Sequence, residues 1–150
     1  MNERGRVAMD TAEVAAMLEA SRKVQLATIN RDGTPHLVTM FYALRDGRIA
    51  FWSYRASQKA RNLSRDPRLT CLVEAGDEYF GLRGVQVNGV AERVDDPAAV
   101  REIGRMIAMR LPDMPAEVLD EYVDHAARKR VGYVVEPRRI VSWDHRRLLT

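Results

Sequence analysis

The chain carries one cysteine, Cys71, so no intrachain disulfide can brace it. Cys71 sits in the apolar run Leu69-Thr70-Cys71-Leu72-Val73, which reads as a buried strand residue in preference to a nucleophile. The three histidines, His36, His125 and His145, lie far apart and share no metal-ligand spacing with that cysteine, which argues against a zinc site. A G-x-S-x-G elbow, a Walker loop and a Rossmann glycine fingerprint are all missing, so those three chemistries have no support. No apolar run approaches the roughly 20 residues that a membrane helix needs. The N-terminal stretch MNERGRVAMD lacks the apolar core of a signal peptide, so a cytoplasmic protein with no membrane partner is expected.

What is present is ordinary in bulk and uneven in detail. At 150 residues, 30% charged and 46% hydrophobic, the chain is expected to form a single domain over residues 1–150. Its formal net charge of +3 is concentrated. Arg55, Lys59, Arg61, Arg65 and Arg68 face the single acid Asp66 within residues 55–68, leaving the remainder close to neutral. Such a patch suits a phosphorylated small molecule at least as well as nucleic acid.

The stretch Val24–Asn62 organises the rest. Three apolar, β-branched and aromatic runs are separated by Asp32-Gly33 and Asp46-Gly47, pairs that favour tight hairpin turns, so a three-stranded antiparallel meander is predicted. The middle run, Pro35 to Leu44, is apolar at both alternating sets of positions, which predicts cover on both faces. Upstream, Asp10 and Glu13 form a capping box for a helix over about residues 11–21 that plugs or caps a barrel. Downstream, strands are predicted over 69–75 and 80–94, the latter continuous in preference to a hairpin at Asn88-Gly89. Asp96-Pro97 opens one helix with a stripe of Val100, Ile103, Ile107 and Leu111, and Gly104 permits close packing there. A second follows Pro115, with Val118, Leu119, Tyr122, Val123 and Ala126 on one face. Two last strands are expected, Val131–Val135 and one after Pro137 through Ile140 and Trp143.

The basic segment after the third strand is the sharpest chemical clue. Ser57 is a good N-cap and Asp66-Pro67 a good stop, so a short helix is predicted with Arg55 and Lys59 at its N-terminal end. Cations are unfavourable beside the positive end of a helix dipole unless an anion sits between them. The segment reads either as a phosphate site or as a solvated basic face.

The order of LATINRDGTPHLVTMFY, then GRIAFWSYRASQKARNLSRDPRLTCLV, then GLRGVQVNGVAERV and a late VSWD resembles the flavin-binding split-barrel family of pyridoxamine 5'-phosphate oxidase-like proteins. Within that family it is most similar to the branch that uses the deazaflavin F420. The likeness covers roughly residues 20–95 well and the last strand loosely. Many members carry Pro near the middle of the second strand, where this chain has Thr39. The resemblance implies a mainly β fold with flanking helices, an FMN-binding split β-barrel. It further implies that the cofactor ring meets Val38, Thr39, Trp52 and Ser53, and that its phosphate is held by Arg55, Ser57, Lys59 and Arg61. Such a cofactor carries the hydride itself, so no catalytic side chain is assigned. The implied function is F420-dependent hydride transfer to a small conjugated substrate, with FMN-dependent oxidase or reductase chemistry, or a non-catalytic flavin or haem carrier, as alternatives. A homodimer with sites between subunits is expected, since a split barrel leaves strand edges and apolar faces for a two-fold partner. A nucleic-acid-binding barrel, which would use the basic patch with Phe51, Trp52 and Tyr54, is not expected.

Overall fold

The computed structural model describes residues 2–150. Helix α1 (Glu3–Val7) and helix α2 (Thr11–Ala20) come first, and α2 opens with both halves of the capping box. The Asp10 carboxylate takes the Glu13 N–H at 2.8 Å while the Glu13 carboxylate takes the Asp10 N–H at 2.8 Å. Leu18 of α2, with Met9, Val14 and Met17, packs into the barrel core as the predicted plug.

Strands β1 (Lys23–Ile29) and β2 (Pro35–Phe41) pair antiparallel, as do β3 (Ala43–Arg45) and β4 (Arg48–Tyr54). Asp46 (φ 52°) and Gly47 (φ 77°) both take left-handed backbone between β3 and β4, the combination whose twist matches the strands it joins. The meander is therefore present, with one change. Its middle strand breaks at Tyr42, so that β2 belongs with β1 and β3 with β4.

Helix α3 (Gln58–Arg65) and strands β5 (Arg68–Ala75), β6 (Arg83–Val94) and β7 (Arg130–Asp144) complete a seven-stranded sheet of order β2-β1-β5-β6-β7-β4-β3. Because β2 and β3 are consecutive in the chain, this order rolls the sheet into a barrel that stays open where β2 and β4 diverge. The interior is filled by inward residues of the long strands, among them Val24, Leu26, Phe51, Cys71, Val85 and Tyr133, with Tyr42 at the break and the partly buried Val38 and Met40 of β2 packed against them. The fold is thus the mainly β split barrel with flanking helices.

Three expectations are corrected. Strand β2 is covered on one face only: Val38 and Met40 pack against the core, whereas Leu37 is 66% and Phe41 47% exposed. Pro137 does not end a strand. It pairs with Gly89 beside a bulge between Asn88 and Gly89, where a residue without an N–H is tolerated, and β7 runs unbroken through it. Residues 79–81 form a short 3-10 turn, so β6 begins at Arg83 and then continues through Asn88-Gly89 as expected.

Helices α4 (Pro97–Ala108) and α5 (Leu119–Ala127) lie outside the barrel. Val100, Ile103 and Ile107 of α4 and Val123 and Ala126 of α5 bury the outward residues Ala43, Ala50, Trp52 and Val134. Val118 and Tyr122, expected on the buried face, are 44% and 43% exposed. Among the described residues, no helix is long and apolar enough to cross a membrane.

Candidate functional site

Where β2 and β4 part, neither strand satisfies the other, and α4 roofs the gap without filling it. The result is a cleft of about 300 Å3 walled by Thr39, Met40 and Phe41 of β2 and by Trp52, Ser53 and Tyr54 of β4. Ile107, Ala108 and Leu111 close it from the α4 side, and Tyr122 of α5 stands at its rim. Gly104 is required here: a Cβ at that position would come within 2.1 Å of the Trp52 ring, so the missing side chain lets the indole lie against the helix.

The polar lining is one-signed. Among the described residues no Asp or Glu lines the cleft, while Lys59 and Arg130 both do. Arg130 stands opposite Tyr54 in the β4–β7 register. Its guanidinium carbon is 4.1 Å from the Tyr54 ring centroid and 5.0 Å from that of Trp52, and it donates to the Ala126 carbonyl at the end of α5 at 2.8 Å. The cation is held in place without being neutralised. Burial, and then the neighbouring Arg130 charge, push the Lys59 ammonium below its ordinary pKa. Two cations brought together in a half-buried cleft without a carboxylate are an arrangement an anion would relieve.

The residues predicted to hold a cofactor divide into three groups. Thr39, Trp52, Ser53 and Lys59 are brought together in the cleft. Ser57 supports it from below: its hydroxyl lies 2.7 Å from that of Ser53 and accepts the Ala60 N–H at 3.1 Å, capping α3. Val38 turns its side chain to the barrel core, Arg61 is exposed on α3, and Arg55 is committed elsewhere. The Arg55 guanidinium donates to the carbonyls of Arg128 at 2.6 Å and Arg130 at 3.2 Å and faces a separate depression beside Asp95 and Asp124.

Sequence reasoning missed Arg130, Tyr122 and the role of the α4 stripe. Arg130 directly precedes the predicted strand Val131–Val135, and only the β4–β7 pairing, which joins segments more than seventy residues apart, places it over Trp52 and Tyr54. Gly104 did carry a signal, but nothing nearby in sequence identified its partner.

Below the cleft, Asn62 fixes α3 to the barrel. It is fully buried, and its amide nitrogen donates to Thr28 Oγ1 at 3.0 Å and Asn30 Oδ1 at 2.9 Å. Its oxygen accepts from Gln58 at 2.9 Å and Arg65 at 3.1 Å.

The sequence profile of the family described as pyridoxamine 5'-phosphate oxidase matches residues 10–144. A conserved hypothetical protein from Mycobacterium tuberculosis, Rv2991, is 43% identical over 100% of this chain and 94% of its own, with a TM-score of 0.91. An F420 reductase is 27% identical, covering 83% of this chain and 93% of that one, with a TM-score of 0.61. The haem storage protein HutZ from Vibrio cholerae shares the fold, at 16% identity, 88% and 94% coverage and a TM-score of 0.69. No curated protein matches the chain in sequence.

Proposed function

The chain belongs to the pyridoxamine 5'-phosphate oxidase family, and from that premise we propose that it is an oxidoreductase using F420 for hydride transfer to a small conjugated organic molecule. The observation that carries this reading is the cleft at the split, more apolar than polar and supplied with Lys59 and Arg130 but, among the described residues, no carboxylate. A ring bearing a phosphate fits that distribution. Thr39, Trp52 and Ser53 would flank the ring, Val38 contributing backbone only. Lys59, Arg130 and the Ser53–Ser57 hydroxyl pair would hold the phosphate, with Arg55 fixing the strand junction from behind; Arg61, exposed on α3, does not line the cleft. When bound, the cofactor supplies the hydride; the chain's own residues orient it, exclude water through Ile107 and Leu111, and hold its negative charge.

F420 is favoured over FMN because the F420 reductase is similar in sequence as well as fold, at 27% identity. The test is a tryptophan-fluorescence titration with F420 and, separately, with FMN, on the parent chain and on Lys59→Ala. F420 should bind, and the substitution should weaken it by ~1.5–3 kcal/mol, the size of a charge-assisted contact. Binding of FMN alone would move the chemistry to flavin oxidase or reductase type. Haem binding without reductase turnover would make the chain a carrier.

We also propose a homodimer. The register aligns Thr39, Gln25, Leu72, Gln86 and Val141 in one row across five strands, and Leu37, Ala27, Thr70, Asn88 and Arg139 in the next. These rows face away from the filled interior; Leu37 and Val141 stand exposed on them, and Phe41 stands exposed two residues beyond Thr39 on the same strand. Sedimentation should give twice the 17.1 kDa chain mass, and Leu37→Asp should shift it to one. A monomeric parent would sink the proposal.

A further inference from the structure

Phe41 and Leu111 bound the cleft on one side. These two residues also line a second depression, bounded by Arg22 and Lys23 at the start of β1 and by Pro112 and Asp113 after α4. The two cavities therefore share a wall, with Lys59 and Arg130 in the first and Arg22 and Lys23 in the second.

The position of Arg22 and Lys23 in the chain gives them an obvious structural duty, which they do not perform. They follow the C-terminal end of α2, where unpaired carbonyls and the negative end of the helix dipole attract cations. Arg110, reaching across from α4, takes that role. It donates to the carbonyls of Leu18 at 3.3 Å, Glu19 at 3.1 Å and also Ser21, and lies 5.0 Å over the Tyr42 ring. Neither Arg22 nor Lys23 forms an ion pair among the described residues. Over both cavities four cations meet one carboxylate, Asp113, so the far end of the groove carries surplus positive charge as the near end does.

The two ends differ in what surrounds the charge. At Lys59 and Arg130 there are two hydroxyls and a helix N-terminus, which suit the several oxygens of a phosphate. At Arg22 and Lys23 the neighbours are Ala20, Phe41, Leu111 and Pro112, with Asp113 as the one acid and, among the described residues, no hydroxyl and no helix start. That surrounding fits an apolar body ending in a single carboxylate. We propose that the substrate of the cleft is a conjugated carboxylate whose acid group is read by Arg22 and Lys23 while its body lies against Phe41 and Leu111. The inference rests on the cleft being the site of the proposed oxidoreductase.

Trans-cinnamate and cinnamamide, alike in shape and different in charge, are suitable probes. Isothermal titration of the full chain, with and without F420, should show cinnamate binding about tenfold tighter than the amide, the sum of two exposed charge contacts. The Arg22→Ala/Lys23→Ala variant should bring the two probes within twofold of each other at an unchanged melting temperature, and Arg22→Lys should retain the preference. No preference in the parent chain would overturn the inference. So would its loss in Lys59→Ala with Arg22→Ala/Lys23→Ala unaffected, which would place the carboxylate at the other end. A double variant that weakens F420 and leaves cinnamate alone would also overturn it, by assigning the cations to the cofactor. A cinnamate preference that survives while F420 fails to bind would uphold the carboxylate site and sink the F420 reading alone.

Discussion

Lys59 and Asn62 stand one helical turn apart on α3, and the fold treats them in opposite ways. Asn62 is fully buried with all its polar capacity used, holding α3 to β1 through Thr28 and Asn30 and to its own helix through Gln58 and Arg65. Lys59 is half-buried, faces another cation, and has no acid among the residues lining its cleft. A satisfied buried polar group contributes to stability and specificity of packing. An uncompensated one costs stability, and is kept where something outside the chain supplies the partner. The same short helix therefore holds a structural hub on one side and half of a binding site on the other.

Removing the hub should cost the most stability. Asn62→Leu would leave the Thr28 hydroxyl, the Asn30 amide oxygen and the donors of Gln58 and Arg65 without their shared partner. Thr28 lies in the barrel wall and Asn30 directly follows β1, so the variant should lose about 3 kcal/mol of unfolding free energy, at the upper end for buried groups left unpaired. Chemical denaturation measures it. A loss below about 0.5 kcal/mol, the ordinary scatter of surface substitutions, would mean that Asn62 is not the hub its contacts describe.

Lys59 should behave differently, and pH separates the two. Its ammonium is held below the ordinary lysine value chiefly by burial and then by Arg130. The folded chain therefore binds this proton less tightly than the unfolded chain does. Without ligand, raising the pH through the folded pKa and up to the unfolded value should favour folding, and Lys59→Met should abolish that increment. With an anionic cofactor the sign reverses. Bound negative charge raises the Lys59 pKa, so affinity should fall as pH climbs through the lowered value of the free protein, earlier than an ordinary lysine would lose its charge. Titrations across the alkaline range on the parent and Lys59→Met test both arms. Parallel affinity profiles in the two would show that Lys59 does not meet the anion.

How far the sequence revealed these roles depends on how local their causes are. Asp46-Gly47, the Asp10–Glu13 capping box and the Ser57 cap are each decided within four residues, and all are formed as predicted. The barrel followed from motif order, and the family match over residues 10–144 bears it out. Features decided by distant pairing were not legible. Tyr42 lies in an unbroken apolar run, yet the strand breaks there because its two halves pair with strands at opposite ends of the sheet order. Likewise Arg55 and Arg130 are both basic residues beside strands, and sequence gave no means to tell which enters the cleft. Pairing of β4 with β7 decides it, turning Arg130 over Trp52 and leaving Arg55 to cap backbone carbonyls.

Tyr133 supplies the smallest effect and the limiting case. Its hydroxyl, like Lys59, lacks a partner, but the ring lies inside the barrel, stacked on Phe51 at 5.1 Å, and lines none of the cavities described above. Burial raises its pKa, as expected of a phenol with nothing to accept its proton. A missing partner without a cavity is a packing cost, since no ligand could reach it. Tyr133→Phe should thus leave cofactor and carboxylate binding untouched and raise stability by about 0.5–1 kcal/mol, recovering part of the desolvation cost of an unpaired hydroxyl. Tyr42→Phe is the control, because the Tyr42 hydroxyl donates to the Leu18 carbonyl at 2.5 Å and its removal should destabilise by about 1 kcal/mol. If Tyr133→Phe instead weakened ligand binding, the line drawn between the cleft and the core would be in the wrong place.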